Sequence, residues 1–389
     1  MNGQTEGMVQ LDGTVLRGRL DARTDDMVAA LDELVSTEST SGRPDLLAKS
    51  ADVVAAMVQR MLGTAPTLVA GAAGPHVHWS GGGSPRVLLV GHHDTVFPEG
   101  TVADRPFRVA EGRATGPGTF DMKAGIVQAL FALAELGAPD GVEILLTADE
   151  ETGSASSRDL IVERARTAGA VLVLEPSADG GALKVGRKGV GTFTVTIAGR
   201  ASHAGLEPEK GVNALVELAL QVPRIAALSM PDRGTTVTPT MAVSGTAENV
   251  VPARATITVD VRVTSDGERR RVEDSMAALV AELPGASLSV SGSVSRPPMH
   301  ESAAADLYEL ARRTAPSVGV GDLAGVSVGG GSDGNFTAAA GVPTLDGLGA
   351  VGGGAHADHE WVDVASMGER AALVAALVAQ LVARKPDAN

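Results

Sequence analysis

Cysteine is absent from the 389-residue sequence, and aromatic residues make up only 2% of it. The lack of cysteine excludes disulfide bonds, thiolate metal sites and a cysteine nucleophile, so any metal must be held by histidine, aspartate or glutamate. Because aromatic rings are so few, the core must be built mainly from the aliphatic members of the 44% hydrophobic residues. Two domains are expected, since single hydrophobic cores stop growing at about 250–300 residues.

Positive charge is also scarce. The chain has 32 Lys and Arg against 47 Asp and Glu, which gives a net charge of −15. A field of that sign repels phosphate backbones, so we expect no nucleic-acid partner.

Long hydrophobic segments are missing as well. The N-terminal sequence MNGQTEGMVQLDG lacks the charged and then apolar pattern of a signal peptide. The longest apolar run, residues 371–383, contains Gln380 and is too short to cross a bilayer. We therefore expect a soluble, cytoplasmic protein with no membrane partner.

Polar residues directly follow a short apolar run that is typical of a buried strand. The run VLLV leads through a glycine into His92, His93 and Asp94. A carboxylate two residues from an imidazole can orient that ring while its other nitrogen binds a metal. In open α/β sheets, ligands bind at this carboxyl end of the strands. The alternating segment HVHW, with His76 and His78, predicts an exposed strand instead.

Further acidic residues occupy the same position after other predicted strands. Glu150 and Glu151 follow one apolar run, Glu175 follows another, and Asp121 ends a glycine-rich loop before a predicted helix. The residues suited to a divalent metal are His92, Asp121, Glu150, Glu151, Glu175 and His356. This set has one carboxylate more than a mononuclear site needs. A two-metal hydrolytic site explains the surplus, with one carboxylate as a bridge and one as a base.

The texture of the sequence changes between about residues 189 and 299. Predicted strands there alternate apolar and polar side chains, which is typical of half-buried antiparallel strands. The predicted order is βαββαβ, that of a ferredoxin-like unit. We therefore predict an α/β protein whose discontinuous catalytic domain (1–188 and 300–389) has a mostly parallel central sheet flanked by helices, with an inserted domain at 189–299.

A serine nucleophile is an alternative that the sequence raises. Residues 330–334 read G-x-S-x-G around Ser332, with His356 and His359 downstream. The segment after Ser332 is too short for the remaining strands of that hydrolase fold, and the acidic residues at the strand ends stay unexplained. A non-catalytic relative that only binds a ligand is a further alternative.

Eight short motifs occur in order between residues 87 and 361. They read GHHDTV, GPGTFDMKAG, ADEETGS, LEPS, GRKG, ASHAG, GGGSDGNF and AHADHEW. In this the chain resembles the zinc-dependent aminoacylase, carboxypeptidase and dipeptidase superfamily, and most of all its bacterial glutamate carboxypeptidases. The resemblance implies a dinuclear zinc hydrolase, with cobalt or manganese as alternative metals, that cleaves a peptide or N-acyl amino acid beside a free carboxylate. Deacylation of N-acyl amino acids is the alternative activity.

The resemblance also implies a set of metal ligands. One metal is expected to bind His92 and Glu175, and the other Glu151 and His356, with Asp121 as a bridge between the two. A cis peptide bond is expected directly after Asp121.

The remaining catalytic roles follow from the same resemblance. Glu150 is expected to act as general base and acid, and Asp94 to orient His92. Two histidines depart from the family pattern: His93 replaces a small residue and adds a rival imidazole, and His359 is unusual in the last motif. We keep His92 as the ligand and expect His359 to support a ligand or to be exposed.

The inserted domain resembles the family's lid, which also forms the dimer interface, so a homodimer is expected. His203 would reach the site of the neighbouring subunit and stabilise the oxyanion. Asn249 and Arg262 match lid positions that hold the substrate carboxylate. Arg296 and Gly330 are further candidates for binding that carboxylate.

Overall fold

The structure, a computed structural model, describes residues 12–384, which form two compact units. Unit 1 takes in the described residues up to Val185, Glu301–Val326 and those from Phe336 onward, and unit 2 comprises Gly186–His300 and Ser327–Asn335. The expected absence of a signal peptide and the start of the predicted catalytic domain concern residues 1–11, which lie outside the described residues.

Unit 2 differs from the predicted inserted domain by a few residues, 186–188 and 300, and by one longer segment. Residues 327–335 were expected in the second part of the catalytic domain, but they belong to unit 2. The physical reason is a set of hydrogen bonds at the end of this segment. The Asn335 amide donates to the carbonyl oxygens of Lys188 and Pro297 at 3.1 and 2.6 Å.

Helices and strands succeed one another along the described chain. The α-helices are α1 (Gly13–Asp21), α2 (Thr24–Val35), α3 (Pro44–Leu62), α4 (Thr101–Asp104), α5 (Ala124–Glu135), α6 (Arg158–Thr167), α7 (Ala214–Ala226), α8 (Asp266–Ala277), α9 (Glu301–Thr314), α10 (Gly334–Ala339) and α11 (Met367–Ala383). The strands are β1 (Thr67–Val69), β2 (His76–Ser80), β3 (Val87–His92), β4 (Arg108–Ala110), β5 (Arg113–Thr115), β6 (Val142–Thr147), β7 (Ala170–Val173), β8 (Leu183–Arg187), β9 (Gly189–Ala198), β10 (Thr236–Ser244), β11 (Arg254–Val263), β12 (Ser287–Arg296), β13 (Gly325–Val328), β14 (Thr344–Leu345), β15 (Gly352–Gly353) and β16 (Trp361–Asp363).

Unit 1 is built around a six-stranded sheet in the order β1-β2-β6-β3-β7-β14. β6, β3, β7 and β14 are parallel to one another, while β1 and β2 are antiparallel to their neighbours. β3, β6 and β7 consist of buried residues throughout, which is typical of parallel strands in a covered sheet. The structure thus confirms an α/β fold with a mixed, mostly parallel sheet.

β2 lies inside this sheet, between β1 and β6. The expectation of an exposed strand is therefore wrong for His76, which is only 1% exposed. The error arises because burial of a strand depends on which distant strands pair with it, and local alternation does not show that.

Helix α11 is longer than its apolar run suggested. Together with the short helical turn before it, it spans Val364–Ala383, 20 residues that are apolar enough by length and composition to cross a membrane. The expectation concerned residues 371–383 alone, and the helix that contains them is longer. In the structure α11 packs against α1 and α5, and residues 371–378 are buried. It is a core helix of unit 1.

Unit 2 contains a four-stranded antiparallel sheet in the order β10-β11-β9-β12. With α7 and α8 between the strands, the chain order is βαββαβ, as the alternating pattern predicted. Apolar side chains of both helices, such as Leu218 and Met276, pack with Val195, Ile257 and Val259 on one face of the sheet.

Candidate active site

Three parallel strands end at one edge of the central sheet of unit 1. β3 ends at His92, which lies opposite Thr147 at the end of β6. β6 leads into Glu150, and β7 leads into Glu175. Because the strands are in register, one donor atom each of His92, Glu150 and Glu175 lies within 4.8 Å of the others.

Asp121 lies between two imidazoles. Its Oδ1 is 3.3 Å from Nε2 of His92, and its Oδ2 is 3.4 Å from Nε2 of His356. His92 Nε2 also lies 3.5 Å from Oε1 of Glu175, and His356 Nε2 lies 3.2 Å from Oε2 of Glu151. The structure thus brings the five residues predicted as metal ligands together in unit 1.

The separations of these donor atoms fit a metal such as zinc. Ligands bound tetrahedrally at about 2.0–2.1 Å lie about 3.3–3.4 Å from one another. The imidazole–carboxylate distances of 3.2–3.5 Å match such edges. In addition, Oε1 of Glu151 is buried and has no hydrogen-bond partner among residues 12–384. Donor atoms of this kind, imidazole nitrogens and carboxylate oxygens, suit a divalent ion.

The charged groups of this cluster shift one another's pKa. Burial lowers the pKa of His92, but hydrogen bonds to the surrounding carboxylates, Asp121 first among them, raise it well above its usual value. Hydrogen bonds with Asp121 and Glu151 raise the pKa of His356 to about 10. Burial favours the neutral form of Asp121, yet its two imidazole partners hold its pKa far below the usual range. The cluster therefore favours positive charge at its centre.

Asp94 connects the first imidazole to the acidic loop that follows β6. Nδ1 of His92 lies 3.0 Å from the main-chain oxygen of Asp94 and 3.4 Å from its Oδ1. The carboxylate accepts hydrogen bonds from the amides of Glu150 and Glu151, both at 3.2 Å, and from the Ser41 hydroxyl at 2.7 Å. Asp94 thus orients His92 mainly through its carbonyl, and its side chain holds the loop.

His93 faces away from the cluster. Its Nδ1 lies 3.1 Å from the Ser50 hydroxyl, and its Nε2 lies 3.1 Å from the carbonyl oxygen of Pro75. Burial lowers the pKa of His93 to about 4, so the ring is neutral. Since both ring nitrogens have other partners, His93 does not compete with His92. His359 is exposed.

Glu360 is a site residue that the sequence reasoning missed. Its buried carboxylate accepts hydrogen bonds from the amides of Gly118, Phe120 and Asp121 at 2.8–2.9 Å. Burial raises its pKa to about 7. Glu360 fixes the loop that carries Asp121, whose bond to Met122 is cis, as the resemblance implied. Its place in the AHADHEW motif was the available signal.

The residues predicted to bind substrate belong to unit 2. His203 and Asn249 lie on adjacent segments, since the amide of Ala204 donates to the Asn249 carbonyl at 2.8 Å. Nδ1 of His203 accepts hydrogen bonds from the amides of Gly205 and Leu206, both at 3.1 Å. A neutral His203 therefore carries its proton on Nε2, and that N–H is available as a donor.

The predicted arginines already have partners within unit 2. Arg262, on β11, donates to Asp260 at 2.9 and 3.0 Å. The buried guanidinium of Arg296 lies 3.7 Å from the carboxylate of Asp333. The carbonyl of Gly330 accepts a hydrogen bond from the buried guanidinium of Arg187 at 3.3 Å.

Ser332 does not have the setting of a serine nucleophile. It is fully buried, and its Oγ accepts a hydrogen bond from the amide of Gly334 at 3.1 Å. A nucleophile elbow exposes the hydroxyl to a histidine. His356 instead faces Asp121 and Glu151. This geometry argues against the serine alternative.

Comparison with known proteins agrees with this site. The family model of peptidase family M20/M25/M40 matches residues 88–380. Carboxypeptidase G2 from Pseudomonas sp. (strain RS-16) is 33% identical over 399 residues, covering 96% of this chain and 95% of that protein. A succinyl-diaminopimelate desuccinylase from Wolinella succinogenes is 30% identical over 213 residues, or 50% of this chain and 58% of that protein.

The fold has a similar counterpart among solved structures. It is similar to that of an M20 family metallo-carboxypeptidase from Sulfolobus solfataricus, with a TM-score of 0.73 and 16% identity over 91% of this chain and 98% of that chain. The chain belongs to peptidase family M20/M25/M40 and is a hydrolase.

Proposed function

We propose that this hydrolase uses two divalent metal ions to cleave an amide bond next to a free carboxylate, as a carboxypeptidase does. The observation that carries the proposal is the position of Asp121, which presents one carboxylate oxygen to His92 and the other to His356. A carboxylate shared in this way by two imidazole–carboxylate groups is the arrangement that a bridging ligand requires.

Two metals would have separate sets of protein ligands. His92 and Glu175 would hold one ion, Glu151 and His356 the other, and Asp121 both. Nitrogen and oxygen donors at these spacings favour zinc, with cobalt and manganese as alternatives. When bound, such ions supply Lewis-acid chemistry that polarises the scissile carbonyl.

The protein's own residues would then move the proton. Glu150, only 8% exposed, is held beside the ligands because its amide donates to Asp94. Its carboxylate takes a proton from the attacking water and delivers it to the leaving amine nitrogen. Nε2–H of His203 would donate to the oxyanion that forms on the former carbonyl oxygen.

Two activities fit this machinery. The similarity to carboxypeptidase G2 extends over nearly the whole chain, whereas that to the desuccinylase covers half of it. Peptide cleavage is therefore our first proposal, and removal of an acyl group from an N-acyl amino acid is the second. Asn249, Arg262, Arg296 and Gly330 are proposed to bind the substrate carboxylate. A cytoplasmic location stays a prediction from the sequence.

Metal content and chelator sensitivity test the proposal. We expect about two equivalents of zinc, cobalt or manganese per chain. Release of free amino acid from a panel of dipeptides and N-acyl amino acids should be lost on chelation and restored by added metal. Comparison of the peptide and N-acyl arms separates the two activities. Turnover that resists chelation but is lost with a serine-directed reagent would contradict the proposal and favour Ser332.

A homodimer through unit 2 is also proposed. Unit 2 exposes apolar side chains on helix α7 and on β10, which is an edge strand of its sheet. Edge strands with exposed apolar residues are typical interaction surfaces. These side chains are Leu215, Val216, Leu220, Met241 and Val243.

His203→Ala is expected to lower kcat about 10²–10³-fold without loss of metal, because it removes one oxyanion donor. If His203 acts on the partner's site, equal amounts of this variant and Glu150→Ala with exchanged subunits should recover roughly a quarter of wild-type turnover. Half of the dimers are then mixed, and each mixed dimer has one complete site. Turnover of the mixture equal to that of the separate variants would show that His203 acts within its own subunit.

A further inference from the structure

A series of hydrogen bonds connects the acidic loop after β6 to a histidine that has no role in the proposed reaction. His76, the first residue of β2, is buried, and its Nδ1 accepts a hydrogen bond from the amide of Ala148 at 3.1 Å. β2 and β6 pair in register from Val77 and Leu146. The His76 side chain therefore takes the place of a strand partner for the first amide beyond the end of β6.

The other ring nitrogen of His76 contacts Ser156. Because Nδ1 accepts from a backbone N–H, a neutral His76 carries its proton on Nε2. Nε2 lies 3.4 Å from the hydroxyl of Ser156, which donates to Oδ2 of Asp149 at 2.8 Å. The Ser156 amide donates to the same oxygen at 2.6 Å. His76 thus connects to both ends of the loop 149–156.

This loop contains the two acids at the centre of the proposed reaction. Glu150 and Glu151 directly follow Asp149, and the amide of Ser154 donates to the Asp149 carbonyl at 2.7 Å, which closes the turn. Asp94 holds the same loop from the side of the metal ligands. Asp94 therefore holds the loop at Glu150 and Glu151, and His76 holds it at Ala148 and Ser156.

The surroundings of the ring restrict its motion. A Cβ atom added at Gly71 would lie 2.3 Å from Nε2 of His76, so the backbone there packs directly against the ring. A buried imidazole confined in this way has one orientation in which both of its nitrogens are bonded.

From these contacts we infer that His76 is a positioning residue for catalysis: through Ser156 and Asp149 it sets the position of the Glu150 and Glu151 carboxylates. The inference rests on the proposed roles of those two acids. A displacement of about 1 Å at a reacting group costs about 10²-fold in rate. The expected effect of breaking these hydrogen bonds is therefore on kcat, with little effect on KM.

His76→Leu, which removes both hydrogen bonds, is expected to lower kcat about 10- to 100-fold, with KM and metal content within about twofold of wild type. His76→Asn should recover part of the loss, because its amide oxygen can accept from Ala148. Ser156→Ala, a small change with little risk to folding, should lower kcat about 3- to 10-fold. The double variant of His76→Leu and Ser156→Ala should fall no further than His76→Leu alone, since both act through one link.

His78→Leu is the matched control. His78 lies on the same strand, and its Nε2 faces Glu143 at 3.4 Å instead of the acidic loop. Its kcat should stay within about twofold of wild type. A kcat near wild type in both His76→Leu and Ser156→Ala, multiplicative losses in the double variant, or losses that follow metal content would overturn the inference. The proposed function is tested separately: turnover of the wild type should be lost on chelation, and Glu150→Gln should be inactive. With both results, failure of the His76 variants would overturn this inference alone.

Discussion

Replacing Glu150 by glutamine is expected to lower kcat by about 10²–10⁴-fold while metal content and fold stay as in wild type. The amide has nearly the same shape as the carboxylate, so the hydrogen bond from the main-chain amide at position 150 to Asp94 is kept. What is lost is the basic oxygen that accepts a proton from water. The measurement is steady-state kcat on the best substrate, together with metal content and thermal unfolding.

The neighbouring acid provides the sharpest comparison. Glu151→Gln makes the same chemical change one residue away, but Glu151 faces His356 and is proposed as a ligand. We expect this variant to lose metal, whereas Glu150→Gln keeps it. Glu163→Gln, in a largely exposed side chain on α6, controls for the loss of one negative charge and should leave kcat unchanged. Wild-type turnover in Glu150→Gln would assign the proton transfer to another group, and loss of metal from it would make Glu150 a ligand instead of the base.

The ends of the central strands were predictable from the sequence for a simple reason. β3, β6 and β7 consist of buried residues, so their sequences are mostly apolar, and polar side chains follow where each strand ends. His92, Glu150 and Glu175 follow from that pattern alone. His356 has no such signal, because it lies in a glycine-rich loop without periodicity. Its residue type alone made it a candidate ligand, and the resemblance assigned it to a metal.

Features that depend on distant pairing were not predictable. Glu360 bonds the loop around Asp121 across some 240 positions of the chain, and no local pattern encodes that contact. His76 was expected on an exposed strand because the insertion of β2 between β1 and β6 is a property of the whole sheet. The same holds for the link between Asn335 and Lys188, which places residues 327–335 in unit 2.

Asp121→Ala is expected to remove both metal ions and to lower kcat by at least about 10³-fold. The reason lies in the ligand count. Without Asp121, each proposed site keeps one imidazole and one carboxylate: His92 with Glu175, and His356 with Glu151. Two protein ligands are too few for tight binding, since catalytic zinc sites use three.

Loss of a terminal ligand should have a different effect. In His92→Ala the second site keeps Asp121, Glu151 and His356, so we expect about one metal equivalent per chain, against two in wild type and none in Asp121→Ala. His93→Gln tests the rival imidazole and should keep both metals, because His93 contacts Ser50 and Pro75 instead of the cluster. Metal analysis after dialysis against metal-free buffer distinguishes these cases. One equivalent retained in Asp121→Ala would show that Asp121 serves a single metal, and the two-metal proposal would then fail at its central ligand.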